Sequence, residues 1–301
     1  MRKTLFAAIA ACIGMAFATT AHASECQFDK NIPVSAAPVL AVSNGSGDVK
    51  VSPGNDGTIH IHGRVKSGHG WTGGEGNAQA VCDKPPIDQN GNEVRIGKQH
   101  EDMYRHISID YTIETPRATD LNATSGSGNL DIADISGRVV GETGSGDIRA
   151  EHLPADSKLE TGSGNIHANG VNGGSRLETG SGDIRLEQTA AGDVHASTGS
   201  GNIEITGLNG GLKAGTGSGW IHVSGTPAGE WKLETGSGDV RLQLEGGKGF
   251  ELDAESASGH IHTDQPITMQ GSLSKHHVHG TVNGGGAMIR VSTGSGDIEV
   301  R

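Results

Sequence analysis

The sequence predicts an all-β protein, a parallel β-helix (β-solenoid) with about 18 to 19 residues per coil. Two observations lead to this prediction. A seven-residue motif built around Gly-Ser-Gly recurs along residues 125–299, and the residues after each copy alternate between apolar and polar side chains. The composition agrees, because a 301-residue chain with 50 Gly and only 3% aromatic residues suits a thin core of small side chains.

The repeat sets the length of each predicted coil. Its copies are SGSGNLD (125–131), TGSGDIR (143–149), TGSGNIH (161–167), TGSGDIR (179–185), TGSGNIE (198–204), TGSGWIH (216–222), TGSGDVR (235–241), SASGHIH (256–262) and TGSGDIE (293–299). Most copies begin 18 or 19 residues after the previous one, and the last begins 37 residues after it. We interpret that long step as two coils stacked in sequence order. An early copy, NGSGDVK, covers residues 44–50.

Each coil is predicted to contain two strands. After a corner, Ile184 and Leu186 point inward and Arg185 outward, and on the next strand Val194 and Thr198 point inward. One coil cannot bury its inner face alone, so successive coils are expected to stack about 4.8 Å apart. The crossover preference of parallel strands predicts a right-handed helix.

Two sets of outward residues are predicted to stack in columns. Directly after the corners, carboxylates alternate with amides: Asn129, Asp147, Asn165, Asp183 and Asn202. The strand before each corner carries acids (Glu142, Glu160, Glu178, Glu234, Glu255) two residues after bases (Lys158, Arg176, His195, Lys213, Lys232, Arg290). The second pattern fits either a solvated lattice of ion pairs or a docking surface for a charged polymer.

The first 23 residues are typical of a secretory signal peptide, with Arg2 and Lys3 before an apolar run and Ala21-His22-Ala23 before the expected cleavage site. A lipoprotein-type cleavage at Cys12 is the alternative. We therefore expect an exported protein in the bacterial periplasm or on the cell surface, with no transmembrane segment in the mature chain. Cys26 and Cys82 then remain, and in an oxidising compartment they are expected to form a disulfide.

Residues 24–120 are expected to form an N-terminal β section or cap, and residues 121–301 the regular solenoid. Strands are predicted at residues 49–51, 58–65, 93–96 and 107–114, and loops at 67–76 and 85–91. Residues 68–73 match a dinucleotide fingerprint by letter only, and we expect no helix after them.

Histidines suggest a metal site. Aligning Val278 under Ile261 would stack His260 on His277 and His262 on His279, with Asp297 and Glu299 beyond them. Such a patch could bind Zn, Cu or Ni, or it could be a hydrogen-bonded surface ladder without metal. Calcium binding of the β-roll type is not expected, because Asn replaces Asp in about half of the corners.

The net charge of −12 argues against nucleic acid as a partner. The short coils leave no room for the protruding loops that build the cleft of a polysaccharide-acting β-helix enzyme. We expect a non-catalytic protein without a cofactor, either an adhesin-like binding module for a surface ligand such as a glycan or an envelope protein, or a scaffold. A β-helix enzyme acting on polysaccharides and a metal-binding envelope protein are the alternatives.

The chain resembles the bacterial envelope family of putative adhesins with a solenoid domain. The residues that carry the resemblance are NGSGDVKV from residue 44, HISIDYTIETP from residue 106, the serial TGSGDI and TGSGNI corners, and the closing GTVNGGGAMIRVSTGSGDIEV. It spans roughly residues 38–301. The resemblance implies a right-handed parallel β-helix, an exported location and no established enzymatic activity.

Overall fold

The structure, a computed structural model, describes residues 25–67, 74–97, 107–269 and 274–301. The expected leader (1–23) and the fingerprint-like segment (68–73) lie outside these residues. The described residues form one long, open and mostly parallel sheet system of 25 strands with a single α-helix. The all-β class predicted from the sequence is therefore correct.

Each repeat of the solenoid contributes one strand to each of two faces. The first face contains β2 (Val39–Ser46), β8 (Asp120–Ser127), β10 (Val139–Ser145), β12 (Ser157–Ser163), β14 (Ser175–Ser181), β16 (Val194–Ser200), the second halves of β17 (Ile203–Ser218) and β18 (Ile221–Ser237), β20 (Phe250–Ser256) and β24 (Ala287–Ser295). The second face contains β3 (Val49–Pro53), β9 (Leu130–Ala133), β11 (Ile148–Glu151), β13 (Ile166–Asn172), β15 (Ile184–Ala190), the first halves of β17 and β18, β19 (Val240–Leu244), β21 (Ile261–Thr263) and β25 (Ile298–Val300).

Parallel pairing keeps equivalent residues of the repeat in register. Thr143 pairs with Thr161, Thr161 with Thr179, and Thr179 with Thr198 on the first face. The inward Ile residues after the corners pair in the same way on the second face, from Ile148 through Ile221. They are at most 1% exposed, so stacking converts the period-2 alternation into a continuous apolar core.

A buried column of hydroxyls accompanies this core. The Thr that ends each first-face strand is buried, and its Oγ1 donates to a corner Gly carbonyl 15 or 16 residues earlier in the regular coils, at 2.9–3.0 Å. Thr143 bonds Gly128, and Thr161 bonds Gly146. A buried polar atom costs free energy unless it is hydrogen-bonded, so Thr fits this inward position because the corner supplies a partner.

The corners bring backbones of successive coils into direct contact. A Cβ added at Gly162 would lie 2.6 Å from the Gly144 carbonyl oxygen, although its φ is not positive. At Gly164, φ is +153° and an added Cβ would lie 2.0 Å from the Gly146 oxygen. Glycine is required at both positions because the coil spacing leaves no room for a side chain.

The N-terminal section begins with a true coil. Strands β2 and β3 pair in parallel with β8 and β9, so the early NGSGDVK copy lies directly beside the coil that starts at residue 120, although 66 residues separate them in the chain. The excursion between them adds β4 (Thr58–Ser67), β5 (Ile87–Asn90), β6 (Glu93–Ile96) and β7 (Ile107–Thr115), and β1 (Glu25–Pro33) pairs antiparallel with β4. These strands cover the outer edges of β2 and β3.

Two local predictions in this section were wrong. A helix, α1 (Gly74–Asp83), follows the fingerprint-like segment, and β5 occupies most of the expected loop at 85–91. The flanking strands β4 and β7 are antiparallel, so they do not form the parallel unit of a dinucleotide site. Helix α1 places Cys82 beside Cys26 of β1, with the two sulfur atoms 2.03 Å apart.

The C-terminal coil is inserted out of sequence order. Strand β24 pairs with β18 on one side and with β20 on the other, and β25 lies between β19 and β21. The coil of residues 250–263 is thus the outer neighbour of the last coil, and β22 (Ile267–Met269) and β23 (His277–Val282) continue the sheet beyond β20. The prediction that the last three coils stack in sequence order was wrong, because β22 and β23 pair antiparallel with each other, and β23 with β20, instead of forming another parallel coil.

The contact between corners gives a matched pair of substitutions. Gly162→Ala should lower the free energy of unfolding by about 1–3 kcal/mol, since the new Cβ meets a backbone oxygen that cannot move independently of its coil. Gly45→Ala changes the same position of the motif, but no atom lies within 4 Å of the added Cβ. It should be neutral or stabilising by up to about 1 kcal/mol. Urea unfolding measures both, and equal losses would contradict the steric explanation.

Candidate functional site

The first outward feature is a column of Asn and Asp side chains at the corners. The side-chain oxygen of each residue accepts the backbone N–H of the equivalent residue in the next coil: Asn129 Oδ1 accepts from Asp147, Asp147 from Asn165, Asn165 from Asp183, and Asp183 from Asn202, at 2.8–2.9 Å. Asn165 Nδ2 also donates to Asp147 Oδ1 at 3.2 Å. The column therefore stabilises the corners, and the alternation keeps carboxylates from stacking on carboxylates along this stretch.

The second outward feature is a zigzag of ion pairs on the first face, which we call the acid–base face (Glu142, Glu160, Glu178, Lys158, Arg176 and His195). Lys158 Nζ lies 3.0 Å from Glu142 and 2.9 Å from Glu160. Arg176 lies 2.5 Å from Glu178, and His195 Nε2 lies 3.1 Å from the same carboxylate. The predicted ion-pair lattice is present, although each partly exposed pair contributes at most about 1 kcal/mol.

These contacts change the titration of two bases. Hydrogen bonds that Lys158 donates to Glu160 and Glu142 raise the pKa of its ammonium group above the ordinary value. Burial, followed by the charge of Arg176, lowers the pKa of His195. At neutral pH Lys158 therefore keeps its charge, while His195 contributes a neutral ring.

The acidic column is interrupted beyond Glu178. Ser197 and Gly215 occupy the positions paired with Glu178 along the stack, so Lys213 has no carboxylate in the acidic column of its own coil. The basic column continues without a break from Lys158 through Lys232 to Arg290. The acidic column resumes at Glu234, whose carboxylate lies 2.8 Å from Lys232.

The four histidines predicted to form a metal patch are separated. Ala254 of β20 lies opposite Val278, and Asp253 opposite His279, so Val278 does not lie under Ile261. His277 Nε2 lies 2.8 Å from Asp253 on the first face, with His279 Nδ1 3.9 Å from the same carboxylate. His260 and His262 lie on the second-face side, beside Asp297 and Asp264.

The expected stacking of these histidines was wrong because β23 pairs antiparallel with β20 on the first face, whereas His260 and His262 lie at β21 on the second face. Asp297 does extend the column of His260, whose backbone N–H donates to Asp297 Oδ1 at 2.8 Å, and His262 pairs with Glu299 along the strands. Within the part of the chain that the structure describes, no group of three or more His, Cys, Asp or Glu side chains is arranged to hold a metal ion. The stacked arrangement of four histidines on which the metal hypothesis depended is therefore not present among these residues.

A cluster on the second face was not predicted. Trp220 takes the place of an Asn or Asp in the corner column, and its ring stacks on His222 with centroids 4.0 Å apart and planes at 28°. Arg241 and Glu299 lie in the same column as His222. The signal in the sequence was the single TGSGWIH among corners that otherwise carry Asn, Asp or His.

These features define the chain as a parallel β-solenoid whose outer faces carry ordered columns of polar side chains. A model of the family described as Toastrack DUF4097 matches residues 30–301. The chain belongs to this family, which confirms the resemblance seen in the sequence. Among the described residues, no helix is both long and apolar enough to cross a membrane.

Several solved structures are similar to the chain. One is a putative adhesin from Bacteroides fragilis, with 16% identity, a TM-score of 0.43, and coverage of 92% of this chain and 98% of the other. A putative cell adhesion protein from Clostridium sporogenes has 13% identity, a TM-score of 0.28 and coverage of 92% and 99%. A putative lipid binding protein from Parabacteroides distasonis has 11% identity, a TM-score of 0.41 and coverage of 91% and 96%. No curated protein matches the sequence.

The corner column makes a second matched pair possible. Asn165→Asp should lower the free energy of unfolding by about 1–3 kcal/mol at low salt, because its neighbours are Asp147 and Asp183. Asn202→Asp removes an equivalent amide hydrogen bond but has a carboxylate on one side only, since Trp220 follows it. The free energy of unfolding should therefore fall about half as much in Asn202→Asp as in Asn165→Asp.

Urea unfolding at low and high salt measures this difference, which should shrink as salt screens the repulsion. Equal losses for the two variants at low salt would show that the alternation of Asn and Asp does not act through charge.

Proposed function

We propose that the protein is exported and acts as a non-catalytic, adhesin-like binding module or scaffold of the bacterial envelope. The solenoid is right-handed in this proposal, with 18 to 19 residues per coil. The observation that carries the proposal is the acid–base face, where Lys158 lies between Glu142 and Glu160 and Arg176 next to Glu178. Lys158 and Arg176 are each held by carboxylates of their own coil and of the preceding coil, so they present a fixed pattern of charges, as a binding surface requires.

The regular shape of the stack also supports binding over catalysis. From β10 to β19 the chain passes from one first-face strand to the next without a protruding domain or long loop. Among the described residues, the carboxylates with clearly shifted pKa values are Glu25, Asp29 and Glu299, and these values are lowered because Arg64, His62 and Arg301 bind them. A glycosidase needs a general acid whose pKa is raised, so these carboxylates do not fit that role.

Export is supported by the signal-like residues 1–23 and by the pairing of Cys26 with Cys82. A disulfide across this separation restricts the unfolded chain and persists in oxidising compartments. It would tie β1 to α1 at the capped end of the solenoid.

Fractionation of expressing cells tests the location. The full chain should appear in the envelope or medium with Ser24 as its first residue, and it should migrate faster on a non-reducing gel than on a reducing one. A version lacking residues 2–23 should stay in the cytoplasm with reduced cysteines. Retention of the full chain in the cytoplasm would contradict export.

An array of glycans and envelope or matrix proteins, combined with a glycan-cleavage assay, tests the activity. We expect binding without turnover, and a protein of similar acidic charge but unrelated fold should not bind the same ligands. Release of new reducing ends from any glycan would support the β-helix enzyme instead. If the assays detect neither binding nor cleavage, the scaffold role is the one that remains.

A further inference from the structure

Trp220 is a half-buried aromatic residue at the surface of the described part of the chain. Among residues 25–67, 74–97, 107–269 and 274–301, it is the one Phe, Tyr or Trp that is not buried, since Phe28, Tyr111, Trp231 and Phe250 all belong to the core. It lies half-buried at a corner of the second face. A single partly exposed ring is ordinary on a protein surface, so its significance depends on the residues around it.

Trp220 also interrupts the hydrogen-bonded corner column. Its own N–H donates to Asn202 Oδ1 at 3.1 Å, as an Asn or Asp would. The indole has no oxygen, however, and cannot accept the backbone N–H of Asp239 in the next coil. Elsewhere that bond is made, for example from Asp297 N–H to Asp239 Oδ1 at 2.9 Å. An Asn at this position would suit folding better than Trp does.

The ring pair stands beside a cavity of about 260 Å³. His222, which stacks on Trp220, lines this cavity together with Glu204, Arg241 and Glu299. Thr206, Ser224 and Gln243 add hydroxyl and amide groups to the lining. Arg301 adds a second guanidinium, which pairs with Glu299. An aromatic surface next to a few converging polar groups is the usual make-up of a small-ligand site.

The charges in the cavity are compensated. Arg241 Nε lies 2.9 Å from Glu299 Oε2, and Arg185 lies 2.6 Å from Glu204. Burial, followed by the charge of Arg241, lowers the pKa of His222, so its ring is neutral at pH 7. An ionic ligand would have to displace these pairs, whereas a neutral polyhydroxylated ligand can hydrogen-bond to groups already in place.

We infer that the Trp220–His222 ring pair and the adjoining cavity form a binding site for a neutral oligosaccharide. The apolar C–H face of a pyranose ring lies against the aromatic pair, and its hydroxyls bond Glu204, Arg241 and Gln243. Further sugar units extend along the second face, where strands of successive coils repeat about every 4.8 Å. The inference rests on the proposed binding function and names its ligand class.

Trp220→Asn is the decisive variant because it removes the ring and restores an oxygen to the corner column. Calorimetric titration with chitotetraose and cellotetraose should show at least tenfold weaker binding to this variant than to the native chain. Its thermal midpoint should be equal or higher. Lys30→Asn, at an exposed position of β1 at the N-terminal end of the solenoid, is the matched control and should bind as the native chain does.

A second variant covers the case in which Trp220→Asn folds poorly. Arg241→Gln keeps a hydrogen-bonding side chain in the cavity but changes its geometry, and it should weaken binding of the same oligosaccharides severalfold. If either variant binds the oligosaccharides as tightly as the native chain does, the proposed site is wrong, and glycans must bind elsewhere on the protein. If the native chain binds neither tetrasaccharide nor any neutral glycan on an array, the site is wrong. Binding of polygalacturonate or of a protein in that array would still support the adhesin-like function.

Discussion

The close approach of backbones at the Gly-Ser-Gly corners is the constraint on which the rest of the structure depends. Parallel strands stack about 4.8 Å apart, and at the corners this spacing leaves no room for a Cβ above the preceding carbonyl. Because the corners are fixed in this way, every residue of the repeat lies above its equivalent in the coil before. The Ile core, the buried Thr hydroxyls, the corner amides and the ion pairs are all consequences of that register.

An open parallel stack must protect its two ends, and this chain does so in the same way at both. At each end a complete coil pairs directly with the regular stack, and a long excursion of the chain covers that coil's outer edge. At the N-terminus β6 and β7 cover β2 and β3, and at the C-terminus β20 and β21 cover β24 and β25. Antiparallel strands then extend each cap, β4 and β5 at the N-terminus and β23 beside β20 at the C-terminus, so that less parallel edge is left to pair with another molecule.

The outer faces differ in what they can do because register places different residues in each column. Along the first face the register places Lys158 between two glutamates, which fixes the positions of these charges. On the second face one Trp replaces an Asn or Asp, and the register brings His222 and Arg241 next to it. A single departure from the repeat thus creates a local site on an otherwise uniform surface.

The repeat was enough to predict the strands, the inward residues and the ion-pair columns, because each depends only on residues one coil apart. Helix α1 was missed because its Gly-Glu-Gly-Asn start is a poor helix signal, and its last residues are stabilised by packing of Ala78 and Val81 in the core. The histidine patch failed for a similar reason. Its prediction assumed that neighbours in sequence are neighbours in the stack, which no local pattern can establish.

The sequence by itself determined the two-strand coil, the stacking of its columns and the thin core, since the spacing of Gly and the alternation of side chains allow few other folds. Only the tertiary structure decided the order of the last coils, the capping of both ends and the separation of His260 from His277. Those features depend on which free strand edge a distant segment pairs with. That choice follows from contacts made across the whole fold, which the residues of one repeat do not encode.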